Sequence, residues 1–170
     1  DYVLHHAAQV SVMDSIQNPS KCFDINNNGT LMVLKFCVEH KIKKFINVSS
    51  SAVYGEGFNR EDSTTNPLSP YALSKYINEG YCQLYYNMYG LNSISLRYFN
   101  VYGPKQNIRS DYSAVIPKFI HNIKNTLPIT IYGTGKQSRD FIHVRDVAEL
   151  NMKCALFRNS KPFSLNVCTG

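Results

Sequence analysis

Tyr71 and Lys75 stand four residues apart in SPYALSK (Ser69 to Lys75), downstream of a hydroxyl-rich SSSAVYG (Ser49 to Gly55). On a helix, residues at i and i+4 share a face, so this spacing predicts the Lys75 ammonium beside the Tyr71 phenol oxygen. A neighbouring cation stabilises a phenolate, which predicts a lowered pKa for Tyr71. Such a tyrosine can take a proton from a sugar or steroid alcohol near neutral pH, provided that a second hydroxyl holds the substrate oxygen. Ser49, Ser50 and Ser51 are the candidates, because they follow the strand-like KFINV (Lys44 to Val48). The carboxyl end of a strand is where open parallel sheets keep their ligands. Oxidation of an alcohol is the chemistry this set suits. Core packing is the competing reading, since the chain has 12 tyrosines and a chance Tyr-x-x-x-Lys is ordinary at that number.

The surrounding pattern supplies elements to position these groups. Tyr2 to His6 and Lys44 to Val48 read as strands, and between them Leu31, Leu34 and Val38 form a helical stripe. Pro70 occupies a helix start, Ile77, Tyr81, Leu84 and Tyr85 share a face, and Gly90 ends that helix. Ser93 to Phe99 is strand-like. Beyond Val101 come a Gly-Pro turn, a polar loop, a short helix around Val115 to Ile123 and a small strand, Ile129 to Tyr132. Asp146 and Glu149 match a capping box ahead of the helix VAELNMKCAL, which leads to the apolar segment FSLNV. Strands alternating with helices predict an α/β fold, a doubly wound parallel sheet covered on both faces.

Composition narrows the function. With 170 residues, 44% hydrophobic and 18% charged, the chain suits one compact domain or a piece of one. No apolar run approaches the roughly 20 residues needed to cross a bilayer, and no charged leader precedes a short hydrophobic segment. Neither membrane insertion nor secretion is expected. The five cysteines are scattered without a CxxC pair, so neither a disulfide framework nor a zinc or other metal site is expected. They read as reduced thiols of a cytoplasmic protein. The net charge of +6 is dispersed, and its one dense run, His40 to Phe45, falls where a helix hands over to a strand. A solvated turn explains that run better than a nucleic-acid patch, and the excess also suits an anionic small ligand.

The segments HHAAQVSV, NNNGT, FINVSSSAVYG, NPLSPYALSKYINE, LRYFNVYGPKQ, IYGTGKQSRDFIHVRDVA and FSLNVCTG occur in series along nearly the whole chain. In this order they resemble the landmarks of the extended short-chain dehydrogenase/reductase family, closest to its UDP-glucose and UDP-N-acetylglucosamine 4-epimerases. The resemblance implies Tyr71 as general base, Lys75 as the residue that binds the nicotinamide ribose and acidifies the tyrosine, and Ser50 as the catalytic hydroxyl, with Ser51 its rival. It implies NAD as cofactor, bound by His5, Ala7, Ala8, Asn26 and Ser49 together with Tyr71 and Lys75. It places Ser11 and Ser51 toward the sugar, Asn100 and Arg139 on the diphosphate and Tyr132 beside the uracil. An arginine fork suits phosphate oxygens through paired, charge-assisted hydrogen bonds.

By the same resemblance, residues 1–100 form the central and C-terminal part of the NAD-binding Rossmann domain. Residues 101–143 form part of the nucleotide-sugar region, and 144–170 return to the Rossmann domain. The family's glycine-rich fingerprint and the residue that distinguishes NAD from NADP belong before Asp1, so the chain reads as part of a longer, homodimeric protein. Dehydratases of the family carry an Asp-Glu pair where this chain has Ser51 and Ala52. Epimerisation at C4 of a UDP-sugar is therefore the leading expectation. Other nucleotide-sugar chemistry, such as dehydration, decarboxylation or reduction, and a non-catalytic nucleotide binder are its alternatives.

Overall fold

Every strand of the main sheet runs parallel to its neighbours in the computed structural model, which describes residues 1–57, 59–107 and 115–170. In chain order the elements are β1 (Tyr2–His5), α1 (Val12–Gln17), α2 (Pro19–Phe23), a π-helical turn (Asp24–Asn28) and α3 (Gly29–Glu39). Next come β2 (Lys44–Ser50), a 3₁₀ turn (Ser51–Tyr54), α4 (Pro70–Tyr89), β3 (Ser93–Tyr98) and β4 (Asn100–Tyr102). The chain continues through α5 (Val115–Lys124), β5 (Phe141–His143), α6 (Val144–Leu156) and β6 (Phe163–Val167). The main sheet has the order β1-β2-β3-β6, and β4 and β5 form a separate parallel pair.

Alternation along the strands divides the core in two. Ile46 of β2, Ile94 and Leu96 of β3 and Val167 of β6 face Val147, Cys154 and Ala155 of α6. On the other face Phe45 packs with Leu34 and Cys37 of α3, Cys82 of α4 and Leu91. Each fully buried Leu or Ile contributes roughly 1.5–3 kcal/mol relative to exposure, so helices on both faces stabilise a sheet this apolar. The expected α/β fold with a doubly wound parallel sheet is the one found.

Helix α4 starts and stops on its own sequence signals. The Ser69 hydroxyl accepts the Ala72 N–H at 3.1 Å, Pro70 fills the first turn, and Gly90 closes the helix in the left-handed region at φ 69°. Its rotation departs from the apolar stripe read in the sequence: Leu84 is 46% exposed, while Lys75, Asn78 and Cys82 turn inward. The reason lies in the sheet, where Asn47, Ser49, Ser95 and Arg97 all face α4 and are buried. A polar strip of sheet demands hydrogen-bonding partners, and α4 supplies them.

Two further expectations need correction. Ile129 to Tyr132 form no strand, and all four residues are exposed. The capping box at Asp146 is also displaced. Helix α6 begins earlier, at Val144, its first turn capped by His143, whose Nδ1 accepts the Arg145 N–H at 3.3 Å. Glu149 instead pairs with Lys153 one turn on, at 2.6 Å. The β4–β5 ladder was not anticipated, because three residues are too few to show a period of two.

Candidate active site at the carboxyl ends of β1 to β3

Tyr71 lies in the first turn of α4, and Ser50 is the last residue of β2. The Ser50 hydroxyl acts on the Tyr71 phenol in the direction that favours the phenolate. The Ser50 hydroxyl also accepts the Ala52 N–H at 3.2 Å, which leaves its proton free for the phenol side. Lys75 sits one turn along α4, with its Nζ 5.9 Å from the Tyr71 ring centroid and donating to the Val48 carbonyl at 2.8 Å. Tyr71 and Lys75, named from their spacing, thus lie together with Ser50, one of three serines that the strand-end reading left open.

The electrostatics differ from the sequence expectation. Burial pushes the Tyr71 phenol up rather than down, with the Ser50 hydrogen bond as the opposing influence. Lys75 is not among the groups that shift Tyr71, and burial moves its own pKa down to about 8. A charged group loses more on desolvation than a neutral one, and both side chains are largely removed from water. A stability prediction follows. Between pH 8 and Lys75's ordinary value of 10.5, the unfolded chain holds a proton at Lys75 that the folded chain has released. Stability contributed by Lys75 therefore rises with pH across that window and is flat below it. The difference in urea stability between the parent and Lys75→Met should show this rise from pH 7 to 10.5, since the buried thiols, whose pKa values burial raises, give both proteins the same opposing slope.

The loop after β1 is held from below. The Asn26 amide accepts the Gln9 N–H at 2.7 Å, donates to the Gln9 carbonyl at 3.0 Å, and donates to the Ser74 hydroxyl at 2.9 Å. Asn26 is 1% exposed, so it acts on the loop rather than on a ligand directly. His5 pairs with the Thr30 hydroxyl at 3.1 Å, and burial and Lys75 lower its pKa, keeping it neutral. Ala7 is exposed and Ala8 half-buried. Ser11 caps α1 by accepting the Asp14 N–H at 3.0 Å, which anchors it near the site but occupies a lone pair. Ser49 turns away from the opening: it is 2% exposed and its hydroxyl donates to Glu79 at 2.6 Å.

One cleft adjoins the serine turn and a second adjoins that cleft. One, of about 380 Å³, is lined by Ser51, Asn59, Phe99, Asn100, Ser138, Arg139 and Asp140. The other, of about 450 Å³, has Asn100, Val115, Phe119, Tyr132, Arg139 and Phe141 among its walls. Asn100 and Arg139 border both, so the residues expected on a diphosphate lie at the junction of a polar and a more apolar space. The Asn100 amide donates to the Asp140 carbonyl at 2.8 Å, and the exposed Arg139 guanidinium donates to the adjacent Ser138 carbonyl at 2.7 Å. Tyr132 is 74% exposed at the rim. A larger, mainly apolar cleft of about 500 Å³ between Tyr102 and α5 shares no residue with the Ser50–Tyr71–Lys75 set.

Among the described residues no group of three metal-ligating side chains is assembled, and no helix is long and apolar enough to cross a membrane. All five cysteines are free thiols.

A parallel sheet with a tyrosine, lysine and serine gathered at its carboxyl edge defines a class, and comparison with known proteins places the chain within it. The profile of the NAD dependent epimerase/dehydratase family matches residues 1–168, and the chain belongs to that family. A UDP-N-acetylglucosamine 4-epimerase from Methanobrevibacter ruminantium, solved with UDP-N-acetylmuramic acid, superposes with a TM-score of 0.94 at 43% identity, covering 99% of this chain and 55% of that one. The UDP-glucose 4-epimerase of Thermotoga maritima, solved with UDP-glucose, gives 0.91 at 32% identity over 99% and 55%. The dTDP-D-glucose 4,6-dehydratase of Dictyostelium discoideum is 37% identical over 161 residues, 86% of this chain and 36% of the dehydratase. The chain thus spans about half the length of the solved relatives it matches.

NAD is the cofactor of this family. The residues present fit it, since Gln9 Oε1 is buried without a protein partner beside the small Ala7 and Ala8, and Lys75 points its ammonium to the same end of the sheet. Sequence reasoning passed over Gln9, whose signal was a lone amide after two alanines. It also passed over Asn59, Ser138 and Asp140 of the polar cleft, which sit in loops with no periodicity to mark them.

Proposed function

We propose that this chain carries the catalytic groups of an NAD-dependent UDP-sugar 4-epimerase acting on UDP-glucose and UDP-galactose or their N-acetyl forms. The observation that carries the reading is Lys75 5.9 Å from the Tyr71 ring with the Ser50 hydroxyl acting on the same phenol, followed by Ser51 and Ala52, where Ala52 has no proton to transfer. Bound NAD would supply the acceptor and donor of hydride at the sugar's C4. Tyr71 takes the proton of the C4 hydroxyl as that alcohol becomes a ketone, and returns it when the opposite face is reduced. Ser50 donates to the same oxygen and holds it at the tyrosine.

Lys75 and the loop formed by His5, Ala7, Ala8 and Asn26 hold the cofactor side in this reading. Ser11 and Ser51 face the sugar. Asn100 and Arg139 grip the diphosphate while the keto sugar turns, and Tyr132 flanks the base. Residues 1–100 and 144–170 serve the cofactor half and 101–143 the sugar-nucleotide half of a cytoplasmic homodimer.

Incubation of the intact protein with UDP-glucose, UDP-galactose and both N-acetyl forms, without added reductant, tests the proposal. Interconversion within either pair supports it. A 4-keto-6-deoxy product would make the protein a dehydratase, and nucleotide binding with no turnover would make it a binder.

A further inference from the structure

Three successive residues at the end of β2 each meet α4 on one stripe of that helix. The Val48 carbonyl accepts from Lys75, the Ser49 hydroxyl donates to Glu79, and the Ser50 hydroxyl acts on the Tyr71 phenol. Tyr71, Lys75 and Glu79 are spaced i, i+4 and i+8, so they are stacked turn upon turn along one face. The rung at Glu79 differs from the other two in being locked. Arg97 of β3 forks onto both carboxylate oxygens at 3.0 and 2.7 Å, and the two side chains are only 7% and 9% exposed. Ser164 of β6 donates to the same carboxylate at 2.9 Å, opposite Ser49. The Arg97 guanidinium is fixed in turn by the Tyr54 hydroxyl at 2.8 Å, and Tyr54 donates to Asn166 at 2.7 Å.

We propose that Glu79 is the positioning residue of this site: clamped by Arg97, its carboxylate draws Ser49 onto α4 and so sets where the adjoining Ser50 meets Tyr71. The inference rests on the catalytic reading of Ser50 and Tyr71. Its physical basis is that the Ser50 backbone is held only at the last rung of the β2–β3 ladder, opposite Tyr98, before an irregular turn begins. Ser50 is followed at once by the 3₁₀ turn, whose Ala52 N–H is its only other side-chain partner among the described hydrogen bonds. A buried, bidentate, charge-assisted pair is the stiffest reference point available within one residue of it.

Ser49 and Ser164 give a matched test. Each contributes one hydroxyl to the Glu79 carboxylate and either can be lost without breaking the ion pair, but only Ser49 adjoins Ser50. Ser49→Ala should lower kcat on the order of 10-fold with KM little changed, since misplacement by a fraction of an ångström is costly only in the transition state. Ser164→Ala should leave kcat within about 2-fold, as it removes no contact made in the transition state. The second readout needs no turnover. In intact protein carrying ¹³C-labelled tyrosine, with the Tyr71 resonance assigned by its loss in Tyr71→Phe, the Ser49→Ala phenol should titrate higher than in the parent, and the Ser164→Ala phenol should not move. Glu79→Gln should shift it in the same direction as Ser49→Ala. Equal behaviour of the two serine variants in the titration would overturn the proposal. A titration that separates them in a protein that converts no UDP-sugar would sustain the positioning role and defeat the epimerase reading instead.

Discussion

Tyr71→Phe is expected to lower kcat by about 10³-fold, within the range over which a positioned acid–base group contributes, while UDP affinity changes little. The phenol oxygen is the only atom removed. The ring stays between α4 and the β2 end, and the backbone anchors of Tyr71 survive: its N–H reaches the Ser15 hydroxyl at 3.1 Å and its carbonyl accepts from Ser74 at 2.7 Å. Asn100, Arg139 and Tyr132, which the proposal assigns to the nucleotide, lie around separate clefts and are untouched. The pH profile sharpens the test. A base acts when deprotonated, and burial raises the Tyr71 pKa, so the parent's rate should climb toward alkaline pH and the residual rate of Tyr71→Phe should not. Isothermal titration with UDP and initial-rate kinetics on the same preparation check both halves. Parallel loss of binding and turnover would make the tyrosine structural.

The largest stability effect is expected at Arg97. Its side chain makes both hydrogen bonds to Glu79, a third to Tyr54, and stacks over the Tyr54 ring at 4.8 Å. Arg97→Ala would leave the Glu79 carboxylate buried with only two serine hydroxyls, and breaking such a pair from one side costs about 3–5 kcal/mol. Replacing both partners with apolar residues of similar size, Glu79→Leu with Arg97→Met, should recover most of that stability because no buried charge is then unmatched. Urea unfolding of the parent, the single and the double variants measures this. A loss below about 1 kcal/mol for Arg97→Ala would mean that water reaches the pair, as at ordinary surface ion pairs.

These two residues also separate what local sequence carries from what it does not. The tyrosine and lysine could be named from i,i+4 spacing on a capped helix, whereas the strand-end rule left Ser49, Ser50 and Ser51 open and only the family resemblance singled out Ser50. Arg97 and Glu79 read only as one charge in a strand and one on a helix, 18 residues apart. Their pairing depends on β3 lying beside β2 with Ser49 opposite Arg97 in register. The direction of the Tyr71 shift was misjudged for a related reason. Spacing reports that a lysine is near, but burial is a property of the assembled layers and here outweighs it for both groups.

By itself the sequence determined the alternation of strands and helices, the caps of α4, the division of each strand into two faces and the placement of Tyr71 and Lys75 one turn apart on one helix. All of these follow from interactions within about one turn or one pleat. Only the tertiary structure decided the rotation of α4 onto a polar strip of sheet, the turning of Ser49 away from the site, the β4–β5 pair, and the clasp of Asp140 on the Thr169 and Gly170 N–H groups at 2.9 Å each. Each of those joins residues tens of positions apart, and buried polar groups accept whichever partner the packing of the layers brings within hydrogen-bond reach.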